Sequence, residues 1–109
     1  MFWDEYPPYQ KLSDKRKVEF LHHRQAWSVS QYLHGEQGAL LVASQLTSCA
    51  PTFNAKLYAA SQTFDEARHV EAFNRYIQTR LKMMYPIGNA LKSIPVSYTH
   101  LRAHETSPY

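Results

Sequence analysis

A single cysteine, three glycines and no long uncharged apolar run set the first limits on this 109-residue chain. A lone thiol, Cys49, can close no internal disulfide, and the N-terminus lacks a basic segment followed by a continuous apolar run, so a reducing cytoplasm is the expected compartment. A membrane helix needs about 18 or more consecutive apolar residues, and none is present, so no membrane partner is expected. Three glycines scattered at 35, 38 and 88 make no phosphate-cradling loop, and there is neither a Gly-x-Ser-x-Gly turn nor a candidate catalytic triad. No basic residue adjoins Cys49 in sequence, which reads it as a small residue at a helix end rather than a nucleophile. Charge of one sign is scarce as well. The net charge is only +3, and Lys15, Arg16 and Lys17 are offset by Asp14 and Glu19, a solvated helix start rather than a nucleic-acid face. Alternating strand patterns, solenoid-length repeats and low-complexity tracts are absent too.

What remains is a chain that is 44% apolar, with those residues spaced for helices. Met1 to Leu12 carries Trp3, Tyr6, Pro7, Pro8 and Tyr9 and is expected to form an extended N-terminal arm lying on a larger body. Trp27 and the aromatics of the arm are read as packing anchors. Ser13 or Asp14 is a good N-cap, after which Val18, Leu21, Trp27, Val29, Leu33, Leu40, Ala43 and Leu46 recur at helical steps with no proline before Pro51. Cys49 to Thr52 forms the turn. Phe53 to Met84 resumes the period through Leu57, Ala60, Phe64, Val70, Phe73 and Ile77, until Pro86 and Gly88 stop it. The expected fold is all-α, an antiparallel helical hairpin over residues 13–94.

Residues 95–109 are set apart. The run Val96 to Thr106 resembles the translated complement of a transposase sequencing adapter, with Ser107, Pro108 and Tyr109 following from adjoining nucleotides. The natural segment is expected to end at Ile94 or Pro95, which removes His100 and His104, four apart, as a helical ligand pair. His22 and His23 point about 100° apart on a helix, and His34 faces away from its neighbour Glu36, so these three are read as surface histidines.

The hairpin has a register that can be counted. Glu36 precedes Pro51 by fifteen residues and Glu66 follows it by fifteen, so both lie about 22 Å from the turn at 1.5 Å per residue, level with each other. The stripe 29, 33, 36, 40, 43, 47 places Glu36 among Val, Leu and Ala, and the stripe 59, 63, 66, 70, 73, 77 places Glu66 among Ala, Val, Phe and Ile. Carboxylates in core positions need a partner or a metal. His69 stands three residues after Glu66 and projects from the same face, so the three can share an ion. Two carboxylates and an imidazole without a thiolate lean toward iron or manganese. Gly35 and Gly38 each cost about 1 kcal/mol against alanine within a helix, which suggests that room is needed around Glu36, or that the helix breaks at Gly35.

A glutamate on one helix and Glu-x-x-His on the next resembles half of the ligand set of ferritin-like di-iron carboxylate bundles, in which the same pattern recurs on a second helix pair. The 30-residue step from Glu36 to Glu66, the sequence Asp65-Glu66-Ala67-Arg68-His69 and the Gly35-Glu36 pair are most similar to the hydroxylase subunits of bacterial multicomponent monooxygenases, over about Arg24 to Tyr76. Ferritins and rubrerythrins space these ligands wider. In the radical-bearing subunit of ribonucleotide reductase a tyrosine follows the ligand histidine by four residues, and here that position is Phe73.

The resemblance implies a truncated half of a four-helix bundle, with Glu36, Glu66 and His69 as ligands to two iron ions, or manganese. The parent protein would use them to activate O₂ and oxidise an organic substrate. It implies that the missing C-terminal half supplies the remaining ligands, so this chain alone would be inactive. A reductase or electron carrier and an oligomeric assembly are the further partners it implies. Tyr32, Gly35, Ala39 and Phe73 are the implied pocket residues. Asp65 would receive the N–H of a ligand histidine from the other half, the alternative being a solvated Asp65 paired with Arg68 or Arg24. Two other functions share the pattern: a ferroxidase or metal-storage protein, and a non-catalytic helical interaction subunit with Glu36 facing solvent.

Overall fold

Two hydroxyl caps open the two long helices. Ser13 Oγ accepts the Arg16 amide at 3.3 Å and Thr52 Oγ1 accepts the Ala55 amide at 3.1 Å, each satisfying a donor that a helix start leaves without an internal partner. In the computed structural model, which describes residues 2–92, these caps start α2 (Asp14–Cys49) and α3 (Phe53–Tyr76). They follow a 3₁₀ turn, Phe2–Glu5, and the short helix α1 (Pro7–Gln10). A π-helical turn, Ile77–Leu81, continues α3, and α4 spans Asn89–Lys92. The architecture is all-α, with α2 and α3 packed antiparallel through the turn at Ala50–Thr52.

Both expected stripes form the seam. Val29, Leu33 and Ala43 of α2 are buried against Ala59, Glu66 and Val70 of α3, and the core closes with Ala26, Ile77 and Leu81. α2 runs unbroken through Gly35 and Gly38, so the level placement of Glu36 and Glu66 holds. Other residues of the same period are exposed: Val18, Leu46, Leu57 and Phe64 lie outside the seam. A two-helix layer covers one stripe per helix, and these fall on the uncovered sides. No helix among the described residues is long and apolar enough to cross a membrane.

Two expectations are corrected. The arm is helical rather than extended: Pro7 sits in the first turn of α1, where its fixed φ favours a helix and its missing N–H costs nothing. Tyr9 and Trp3 both pack on Phe20, with ring centroids 5.5 and 5.2 Å away, while Arg24 lies over the Trp3 ring. The second helix stops at Leu81, short of Met84. Lys82 takes a left-handed conformation (φ 57°), and the chain turns back to lie along α2 as a strap over residues 82–88.

Side chains of α2 hold that strap. His22 Nε2 bonds the Leu81 carbonyl at 2.8 Å, His34 Nε2 the Tyr85 carbonyl at 2.9 Å, and His23 Nδ1 the Tyr85 hydroxyl. Gln31 donates to Pro86 O and accepts from Gly88 N. The fully buried Ser30 hydroxyl donates to Ala26 O and accepts the Tyr85 amide at 3.0 Å. The histidines read as idle surface residues therefore anchor the chain reversal, even where their rings remain exposed. Removing the Ser30 hydroxyl leaves a part-buried amide without its partner, so Ser30→Ala is expected to cost about 1–3 kcal/mol and to speed exchange of the Tyr85 amide hydrogen. Unchanged exchange at Tyr85 would show that the strap does not depend on this bond.

Candidate metal centre

Thirty residues of hairpin bring the two glutamates back to one level, and the structure places His69 beside both. His69 Nδ1 lies 3.3 Å from Glu66 Oε2 and 3.5 Å from Glu36 Oε2, and one donor atom from each of the three residues falls within 4.8 Å of the others. This is the one such convergence of three His, Cys, Asp or Glu side chains among the described residues. Glu66 is buried, Glu36 partly so, and the His69 ring is about half exposed, so the cluster sits on the seam but opens to one side. An added Cβ at Gly35 would meet nothing within 4 Å, which leaves space beside Glu36.

Two carboxylates this close cannot both ionise freely. The hydrogen bond shared with Glu66, then burial, holds the Glu36 carboxyl above its usual value of 4.5, with His69 opposing. Glu66 is pulled below that value, chiefly because it accepts the Glu36 hydrogen bond, with Gln62 and His69 adding to the effect against desolvation. The two carboxyls titrate as a coupled pair, Glu36 held up and Glu66 held down. Gln62 Nε2 donates to Glu66 Oε1 at 3.3 Å, a contact that no sequence motif singles out, although its position four residues before Glu66 places it on the same face.

This donor set fits a hard or borderline divalent ion. The contacts among Glu36, Glu66 and His69 join the same three groups that a cation would join, and any proton they share would have to leave for it to bind.

The implied pocket residues divide. Ala39 lines an open apolar groove of about 670 Å³ that runs from Glu66 toward the turn, walled by Val42, Ala43, Leu46, Tyr58 and Ala59. Tyr32 and Phe73 are not part of it. They stack on each other at 5.9 Å on the side of the cluster away from the turn, and Gly35 faces open space. The division follows from register, since 32 and 73 lie one turn beyond Glu36 and His69 on their helices and 39 lies one turn before the groove widens. Cys49 also lines the groove, at its turn end. Asp65 and Arg68 form a solvated pair, 3.8 Å apart and both more than half exposed, with Arg68 lying over the Phe64 ring. Asp65 points to another face than Glu66 and takes no part in the cluster.

No family model, curated protein or solved structure matches this chain. The fold and site define a helical hairpin that carries a Glu, Glu, His cluster with the donor chemistry of a metal centre.

Proposed function

We propose that this chain is the first ligand-bearing half of a non-haem di-iron oxidoreductase that activates O₂ to oxidise an organic substrate. The convergence of Glu36, Glu66 and His69 on one side of the seam carries the reading. Charged side chains seldom occupy core positions without a partner, and here two acids occupy facing positions at one level with an imidazole between them. Bound iron would supply the oxygen chemistry; the chain's own residues hold the metal and control access to it. Glu36 and Glu66 would be carboxylate ligands and His69 the imidazole ligand through Nδ1, the nitrogen that faces both acids. The remaining ligands come from outside these residues, and a reductase or electron carrier would supply electrons.

The groove favours an organic substrate over simple iron storage. Apolar side chains form nearly all of its wall and it reaches the Glu66 carboxylate, whereas a ferroxidase needs only a polar path for ions. The test is anaerobic equilibrium dialysis against Fe(II) and Mn(II), comparing the chain with a variant carrying Glu36→Ala, Glu66→Ala and His69→Ala together. The unaltered chain is expected to retain metal at least about 100-fold more tightly, since even neighbours of ligands are worth about 10–100-fold in affinity. Equal retention would sink the reading.

A further inference from the structure

Trp3 and Trp27 are the only tryptophans of the chain, and both line one cleft. Its volume is about 330 Å³, at the lower end of small-molecule sites, and Phe20, His23, Arg24 and Tyr85 complete the wall. Three elements meet there: the N-terminal turn brings Trp3, α2 brings the residues from Phe20 to Trp27, and the strap brings Tyr85. The cleft shares no residue with the groove beside Glu66. At 1.5 Å per residue Trp27 lies about 14 Å along α2 from Glu36, on the side away from the turn, so this is a separate place on the molecule.

Its rings are set for a flat guest. Trp3 stands edge to face on Phe20, with centroids 5.2 Å apart and planes at 77°. Trp27 enters no ring pair among the described residues and is 49% exposed. A tryptophan that served only as an anchor would be covered by what it anchors, whereas half of this one is open. Tyr85 is fixed in advance, because its hydroxyl bonds His23 Nδ1 while its amide and carbonyl are held by Ser30 and His34. A wall that is already ordered spares a ligand the cost of ordering it.

Arg24 supplies the charge. Arg16, Arg68 and Arg75 pair with carboxylates at 3.1, 3.8 and 3.5 Å; Arg24 pairs with none among the described residues and lies over the Trp3 ring, 5.5 Å from its centroid. A guanidinium stacked on a ring keeps its N–H donors at its edge, where they match the two oxygens of a carboxylate. Aromatic walls with one such guanidinium select a ligand that has a flat apolar body and one anionic end.

We propose that this cleft binds a small aromatic carboxylate, its ring held by Trp3, Trp27 and Tyr85 and its carboxylate by Arg24. The site stands independently of the metal reading.

Fluorescence of the full chain reads the cleft directly, because both tryptophans line it. Titration with para-nitrobenzoate, whose ring quenches indole emission, is expected to give saturable quenching at least about 10-fold tighter than with para-nitrobenzamide, the effect that hydrogen bonds to a charged group provide. Arg24→Met keeps an apolar stem and the helix preference at an exposed position, and is expected to bind the two compounds alike. Quenching that rises without saturation would overturn the cleft as a site, since collisions with open indoles alone produce it. Equal affinity of the native chain for acid and amide, or a preference that survives Arg24→Met, would overturn Arg24 as the recognition group and with it the ligand class. Saturable quenching by a proline-rich peptide but not by the acid would overturn the proposal in favour of a groove for extended segments.

Discussion

Glu36→Gln is expected to raise the melting temperature of the metal-free chain at pH 7 while lowering its affinity for Fe(II) or Mn(II) by about 100-fold or more. Both effects have one origin. The Glu36 carboxyl is held above its usual value of 4.5 by the hydrogen bond with Glu66 and by burial. A carboxyl raised in the folded state favours folding while it is protonated, so its contribution is complete below the unfolded value and is lost as the pH rises through the folded value. Above that folded value the native chain has lost it. Glutamine cannot ionise and keeps a donor for Glu66, so the variant retains there what the native chain retains only at lower pH. It also removes an anionic donor from the cluster that we propose binds the metal, hence the expected loss of affinity.

The same signs predict the pH profile. The gain in melting temperature should shrink as the pH falls through the raised folded value of Glu36, where the native carboxyl takes up its proton. Glu66 has the opposite sign: its lowered value stabilises the fold above the unfolded pKa, and that contribution is lost as the pH falls below 4.5 through the folded value. Metal affinity of the native chain should fall with acidification, because the ion must displace the Glu36 proton. Melting curves and metal titrations between pH 4 and 8 read both profiles. A Gln variant no more stable than the native chain at pH 7 would contradict the raised Glu36 carboxyl.

Leu33→Ala is expected to cost about 2–5 kcal/mol, a large part of the roughly 5–15 kcal/mol that holds a typical domain folded. Leu33 is fully buried at the centre of the cluster that includes Ala26, Val29, Val70 and Ile77, and removing its side chain opens a cavity that the straight seam cannot collapse. Leu57 has the same standing in the helical period but is 56% exposed, so Leu57→Ala should cost less than about 0.5 kcal/mol. Urea unfolding of the two variants makes the comparison. Equal losses would mean that the seam is not where α2 and α3 meet.

Much of the site is legible in the residues. The period of 3.6 marks both long helices, Ser13 caps the first as expected, and Pro51 places the turn that brings Glu36 and Glu66 level. His69 follows because a helix returns its third residue to the same face. The strap was not legible. Met83 and Met84 are good helix formers, so local preference carries the helix past Leu81. It ends there because His22, Ser30 and His34, more than 50 positions earlier, offer partners to the backbone at Leu81 and Tyr85. One sign was present: 23, 27, 30 and 34 make a stripe of His, Trp, Ser and His on an otherwise ordinary helix. The folded arm was hidden likewise, since prolines suit an extended segment and a first helical turn equally well, and Phe20 as the packing surface decides between them.

The residues by themselves determined the helices, their caps, the turn and the level of the two acids, because all of these depend on spacing along one chain and on the fixed rise of a helix. Only the tertiary structure decided which apolar stripe is covered, where the chain reverses after α3, on which side of the cluster the groove lies, and that the Glu36 and Glu66 carboxyls push each other's pKa apart. Those outcomes depend on distances between side chains far apart in sequence, where packing and the loss of water set the energy and local preference is silent.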